Sequence, residues 1–143
     1  IRLSWKSARN DTLKDLNSFV DAVAVLFPLS EDAPAVTMGR KGAPVNAWYW
    51  KANHAESPYE VMAEGWGSSE RRPGKASGLA ARAVYADGAW SVVLQRSLSA
   101  GQGYVEFSPG KPSRIALAVW NGTDRERSGR KSFSGEFAVF DIE

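Results

Sequence analysis

The sequence predicts a mainly β protein, an antiparallel β-sandwich with short helices in the connections. Three runs in which side chains follow a period of two, at 19–27, 90–98 and 114–120, carry this prediction. Asp87-Gly88 stands between two β-prone runs, which is the strongest short-range signal for a hairpin. Short strands separated by turn residues are typical of sandwiches, so a helical bundle is not expected.

The predicted strands follow from local patterns along the chain. Residues 1–6 alternate apolar and polar, as in a half-buried strand, whereas 19–27 is apolar on both faces, as in a central strand. Residues 11–17 suit a loop or one helical turn. The other expected strands are 46–52, 59–66, 79–85, 90–98, 114–120 and 133–142, and the long loops are 28–44 and 67–78. In the hairpin's second strand, Trp90, Val92 and Leu94 are expected to fall on one face.

Composition limits the class of protein. The chain has 143 residues, 43% of them hydrophobic, which is enough for one domain with its own core. A net charge of +2 argues against a nucleic-acid binder, which would carry a basic surface. The chain has no cysteine, which excludes thiolate metal sites, iron–sulfur clusters and covalent haem attachment. No apolar run approaches the ~18 residues of a membrane span.

The residues offer no catalytic constellation. His54 is the single histidine and stands in a polar stretch, where an exposed loop position is expected. No cluster with metal-ligand spacing surrounds it, and nucleophile and phosphate-loop motifs are absent. One alternative left open is a haem-free β-sandwich that binds a ligand or carbohydrate through exposed Trp48, Tyr49 or Trp50.

Several blocks, in order along nearly the whole chain, carry a resemblance to a known family. They are DLNSFVD at 15–21 followed by Phe27-Pro28, AVTMG at 35–39, PVNAWYWKA at 44–52, IALAVW at 115–120 and ERSGRKS at 126–132. With these blocks the chain resembles the haem-b-binding γ subunit of ethylbenzene dehydrogenase-like molybdenum enzymes, in the type II dimethyl sulfoxide reductase family. The resemblance implies a single haem-b-binding electron-transfer domain over 1–143, without the family's N-terminal strands and without catalysis of its own.

The resemblance also implies which residues hold the haem iron. The family uses one Met and one Lys, and the matching positions are Met38 and Lys131. Outside that resemblance, a loop Met is usually a gap-filler and a lysine before a strand is usually solvated. A ligating lysine must be neutral, which costs about 5 kcal/mol at pH 7 unless burial lowers its pKa. The resemblance therefore implies a desolvated pocket.

Other candidates for the site remain open. Lys41, Lys51 and Lys111 are alternatives for the second ligand, and His54 is a further one because imidazole is a common haem ligand. Cations close in sequence to the two matching ligands are expected to contact the haem propionates; they are Arg40, Arg127 and Arg130.

The resemblance further implies partners and a compartment. The partners are a molybdenum catalytic α subunit and an iron–sulfur β subunit, with a soluble c-type cytochrome or similar protein as electron acceptor. The implied location is the periplasm, and the chain is expected to be stable chiefly within a heterotrimer.

Overall fold

The computed structural model describes residues 1–142, and strands are its main secondary structure. Within that range the strands are β1 Arg2–Lys6, β2 Ala22–Pro28, β3 Val45–Lys51, β4 Tyr59–Ala63, β5 Glu70–Pro73, β6 Ala80–Ala86, β7 Ala89–Gln95, β8 Pro112–Trp120, β9 Ser132–Phe133 and β10 Ala138–Asp141. The helical pieces are three 3₁₀ turns in the connections, Ala52–His54, Gly74–Ala76 and Gly122–Asp124.

The strands form two antiparallel sheets. The smaller sheet has the order β1-β7-β6, and the larger has the order β10-β8-β2-β3-β4-β5 with β9 also paired to β8. One face of each sheet contributes to a shared core, in which Trp50 contacts Trp90 at 4.9 Å and Trp5 at 6.0 Å between ring centroids. The predicted antiparallel sandwich with short helical connections is confirmed.

Strand β2 is buried on both faces, as its apolar pattern predicts. Val23, Val25 and Phe27 point into the core between the sheets. Ala22 and Ala24 point the other way, towards the outer face of the larger sheet, and are only 1% and 8% exposed. Because these side chains are small, they leave open space above the outer face at the centre of the larger sheet.

The hairpin at Asp87-Gly88 has the expected geometry. Asp87 has a φ of 51° and Gly88 a φ of 73°, the two positive values that a type I′ turn requires. Trp90, Val92 and Leu94 on β7 are all buried in the core, which confirms the predicted face.

Two predicted loop and strand assignments are wrong. The expected loop 67–78 contains strand β5, which pairs with β4, followed by a 3₁₀ turn. The expected strand 133–142 is interrupted, because Phe133 pairs with Ala118 whereas Ala138 pairs with Ile115. From Phe133 to Ala138 the chain advances five residues, while the partner strand β8 advances only three, from Ala118 to Ile115. The residues between β9 and β10 are therefore not paired with β8 in a continuous ladder.

Two aromatic residues of β3 are also placed differently from one expectation. Trp48 and Trp50 are 4% and 0% exposed, so they cannot form the exposed platform of a carbohydrate binder. The alternation of the strand puts them on the core face, where Trp48 packs against Phe27 at 5.1 Å. Tyr49, between them, points to the outer face.

Gly122 lets two distant segments meet, and a side chain there should destabilise the fold. A Cβ at this position would overlap the carbonyl oxygen of Phe19 and lie 2.8 Å from the Cβ of Asp11. Gly122→Ala is therefore expected to cost about 1–3 kcal/mol and to lower Tm by roughly 3–10 °C. Gly135→Ala is the matched control, since its Cβ would meet nothing within 4 Å. Equal melting temperatures of the two variants in thermal denaturation would contradict this account.

Candidate functional site

A cavity of about 660 Å³ opens on the outer face of the larger sheet. Its floor is formed by side chains from the central strands, Ala22 and Ala24 on β2, Ala47 on β3 and Val61 on β4. They share a face because directly paired residues of antiparallel strands point to the same side, as Ala47 and Val61 do. The volume lies within the range of small-molecule and cofactor sites.

The walls come from segments that rise above the floor. Aromatic and apolar side chains make much of them, among them Phe19, Val36, Tyr49, Trp66, Trp120 and Phe133. Trp66 is 77% exposed at the rim, and its indole N–H donates to the carbonyl oxygen of Val36 at 3.2 Å. That bond joins two loops, 34–39 and 65–67, along one side of the cavity.

Met38 lines the cavity from the loop beside β4. Its amide donates to the carbonyl of Ala35 at 3.0 Å, and its own carbonyl accepts from the amide of Gly65 at 3.0 Å. Its φ of 58° lies in the left-handed region, which costs an L-residue roughly 1–2 kcal/mol. The half-buried side chain packs against a buried cluster made of Ala33, Ala43, Val45 and Ala63. A non-glycine residue held in this conformation is a feature that clusters at functional sites.

Lys131 lines the same cavity from the side of β8. Its Nζ lies 5.3 Å from the ring centroid of Trp120 and 5.7 Å from that of Phe133, with the carbonyl of Ser128 at 3.5 Å. Burial lowers the pKa of the Lys131 ammonium from its usual value. The lower pKa reduces the free-energy cost of forming the neutral amine, which is the form able to bind a metal.

The structure brings one further candidate ligand to the cavity and leaves the others out. Lys51 lines it, whereas Lys41 and Lys111 do not. His54 is exposed, with its ring 6.1 Å from that of Tyr59, and is not among the lining residues. Met62 also lies outside the lining, because strand alternation turns it to the face opposite Val61.

The three arginines expected to contact propionates are placed differently from one another. Arg127 lines the cavity, and its guanidinium lies 4.5 Å from the centroid of the Phe19 ring. Arg40 and Arg130 are exposed and outside the lining, and Arg40 forms an ion pair with Asp32.

Two cations that line the cavity, Lys14 and Arg71, did not emerge from sequence reasoning. Arg71 was hidden because its strand, β5, was expected to be loop. The cavity therefore has five cationic side chains in its lining, Lys14, Lys51, Arg71, Arg127 and Lys131. Glu126 is the single carboxylate among these lining residues, and it accepts a hydrogen bond from the backbone N–H of Asn121 at 2.8 Å. This balance favours an anionic ligand with a substantial apolar surface.

Other kinds of site find less support in residues 1–142. No three His, Cys, Asp or Glu side chains there converge as ligands for a bare metal ion. In the same range, no helix has the length and apolar character needed to cross a membrane.

Comparison with known sequences places the chain in a family. Residues 1–80 and 72–132 match the family described as ethylbenzene dehydrogenase. The chain belongs to this family. It is 36% identical over 137 residues to a Haloferax mediterranei protein provisionally named a respiratory nitrate reductase heme subunit. It is 30% identical over 141 residues to the chlorate reductase γ subunit of Ideonella dechloratans, and 32% over 151 residues to the dimethylsulfide dehydrogenase γ subunit of Rhodovulum sulfidophilum.

The matches extend over nearly all of this chain but only part of each relative. They cover 94%, 96% and 94% of the chain, and 48%, 57% and 52% of the respective relatives. The chain thus spans about half the length of the curated relatives that it matches.

Proposed function

We propose that this chain is an electron-transfer domain that holds haem b through Met38 and Lys131 and has no catalytic role of its own. The observation that carries the proposal is that these two side chains, far apart in sequence, line one cavity. They reach it from opposite sides of the floor strands, Met38 beside β4 and Lys131 beside β8.

The chemistry of the cavity suits haem b. A thioether is a soft ligand for iron, and a lysine amine becomes a ligand when burial disfavours its ammonium form. With both axial positions filled, bound haem would exchange electrons and leave no open coordination site. The alanine side chains of the floor leave space for a flat ligand, and the aromatic side chains of the walls supply apolar contact. The cations of the lining are opposite in charge to the two haem propionates.

The relatives support the wider setting of the proposal. One is named as a heme subunit and two as γ subunits of chlorate reductase and dimethylsulfide dehydrogenase. We propose that the chain works beside a molybdenum catalytic subunit and an iron–sulfur subunit. It would take electrons from the latter and pass them to a soluble acceptor such as a c-type cytochrome, in the periplasm. Affinity pull-down from native extracts should recover both subunits.

The ligand assignment is tested by replacing each candidate nitrogen ligand in turn. Apo-protein titrated with haemin is expected to give a six-coordinate, low-spin absorption spectrum with a sharp Soret band. Lys131→Ala should convert it to a five-coordinate or water-ligated form, while Lys51→Ala and His54→Ala keep the low-spin spectrum. If His54→Ala or Lys51→Ala causes the conversion and Lys131→Ala does not, the second ligand is misassigned. A wild-type chain that takes up no haem would instead favour the haem-free binding module.

A further inference from the structure

We propose that Lys14, Lys51 and Arg71 form a carboxylate-binding cluster in this cavity, and that this cluster fixes the orientation of the haem by binding its propionates. The proposal rests on the proposed haem function and deepens it. It moves the main propionate contacts away from Arg40 and Arg130, which the fold leaves outside the cavity.

The three cations come from separate segments of the chain, and all three line the cavity. Lys51 ends β3 and Arg71 lies on β5, while Lys14 belongs to the loop before β2. The Arg71 guanidinium lies 5.2 Å from the ring centroid of Tyr49, which brings it across β4 towards β3. Burial lowers the pKa of Lys51, and so do the charges of Arg71 and Lys14. The positive charges of Arg71 and Lys14 therefore both act on Lys51.

These charges have no anionic partner within the described part of the chain. The ion pairs of residues 1–142 involve other side chains, and none includes Lys14, Lys51 or Arg71. A cluster of like charges raises the local positive potential, which favours the binding of an anion. A ligand with two carboxylates on one edge, as haem b has, would offset that potential and gain charge-assisted hydrogen bonds.

Arg127 also lines the cavity, but its surroundings make it a weaker candidate for a propionate contact than the cluster. It stacks on Phe19, and it follows Glu126, the one carboxylate of the lining. Arg127 therefore has a lining carboxylate beside it in sequence, whereas Lys51 has none. With the propionates at Lys51 and Arg71, the opposite, apolar edge of the haem would lie towards Val36 and the exposed Trp66, at the other end of β3.

The test compares haemin with haemin dimethyl ester, whose propionates are neutral. In the double variant Lys51→Met/Arg71→Gln, affinity for haemin is expected to fall at least about tenfold, since a hydrogen bond to a charged group contributes roughly that much. Between the wild type and the double variant, affinity for the dimethyl ester should change by less than about twofold. The low-spin spectrum should persist, because neither residue is the proposed iron ligand. Higher ionic strength should weaken haemin binding more in the wild type than in the double variant.

Arg130→Gln is the matched control, as it removes one exposed cation that does not line the cavity. It should leave both affinities unchanged. An equal loss of affinity for haemin and its ester, or no loss for either, would overturn the cluster while leaving haem binding intact. Failure of the wild type to bind haemin would overturn the proposed function itself, and the cluster with it.

Discussion

Replacing Met38 with leucine is expected to remove one of the two proposed iron ligands while keeping the fold. Leucine matches methionine in volume, so packing against the cluster that includes Val45 and Ala63 should be kept and stability should change by less than about 1.5 kcal/mol. The sulfur is lost, so the iron should become five-coordinate or water-ligated. Its reduction potential should fall, because a thioether favours the ferrous state, and haem should be retained less well. Absorption spectra of both oxidation states and a redox titration measure these changes.

Met62→Leu is the control for the loss of a thioether. Met62 lies on β4 but outside the cavity lining, so its replacement should leave spectrum and potential unchanged. Met38→Gly adds a further distinction. Glycine adopts a φ of 58° without strain, which offsets part of the lost packing, so this variant should still fold while lacking the proposed sulfur ligand. A Met38→Leu protein with the wild-type spectrum would show that the sulfur does not bind iron.

Sequence reasoning succeeded for elements whose structure is determined by near neighbours. The turn at Asp87-Gly88 requires two positive φ values, and the dipeptide itself indicates them. The apolar pattern of β2 predicted burial on both faces, and the strand lies between β3 and β8 in the middle of the larger sheet. Composition and periodicity are sufficient for such elements because they do not depend on a particular distant partner.

Elements that depend on distant partners were missed. The short, polar strand β5 has no apolar alternation, and it is a strand because β4 offers it an edge with which to pair. Arg71 could not be placed in the cavity without that pairing. Nothing in the local pattern predicted that Met38 and Lys131 would line one cavity; family resemblance alone named them.

Buried charges also escaped sequence reasoning. Asp21 is 0% exposed, and its carboxylate accepts hydrogen bonds from the Trp90 indole at 2.8 Å and the Gly122 amide at 2.9 Å. These donors lie far along the chain, and without them the burial of a carboxylate would be prohibitive. The carboxylate thereby ties the start of β2 to β7 and to the segment that leads to Lys131.

A second buried charge, Glu60, forms an ion pair with Arg96 behind the cavity floor, and breaking it should have the largest effect on stability. The Arg96 guanidinium donates to the Glu60 carboxylate at 3.0 Å, and both side chains are 0% exposed. Asn46 and Ser77 each donate to the same carboxylate at 2.7 Å. Arg96 also donates to the carbonyl of Val105, which fixes the loop 96–111 against the core.

Arg96→Met is expected to leave a carboxylate buried without its cation, which costs about 3–5 kcal/mol and lowers Tm by roughly 10 °C or more. Arg72→Met is the matched control, because its ion pair with Glu70 is exposed and such pairs contribute at most about 1 kcal/mol. Glu60→Gln/Arg96→Met should recover part of the loss, since the buried charge is then removed together with its partner. Thermal and urea denaturation of the apo-protein measure all three variants. If Arg96→Met were no less stable than Arg72→Met, the ion pair would not be what holds loop 96–111 behind the cavity floor.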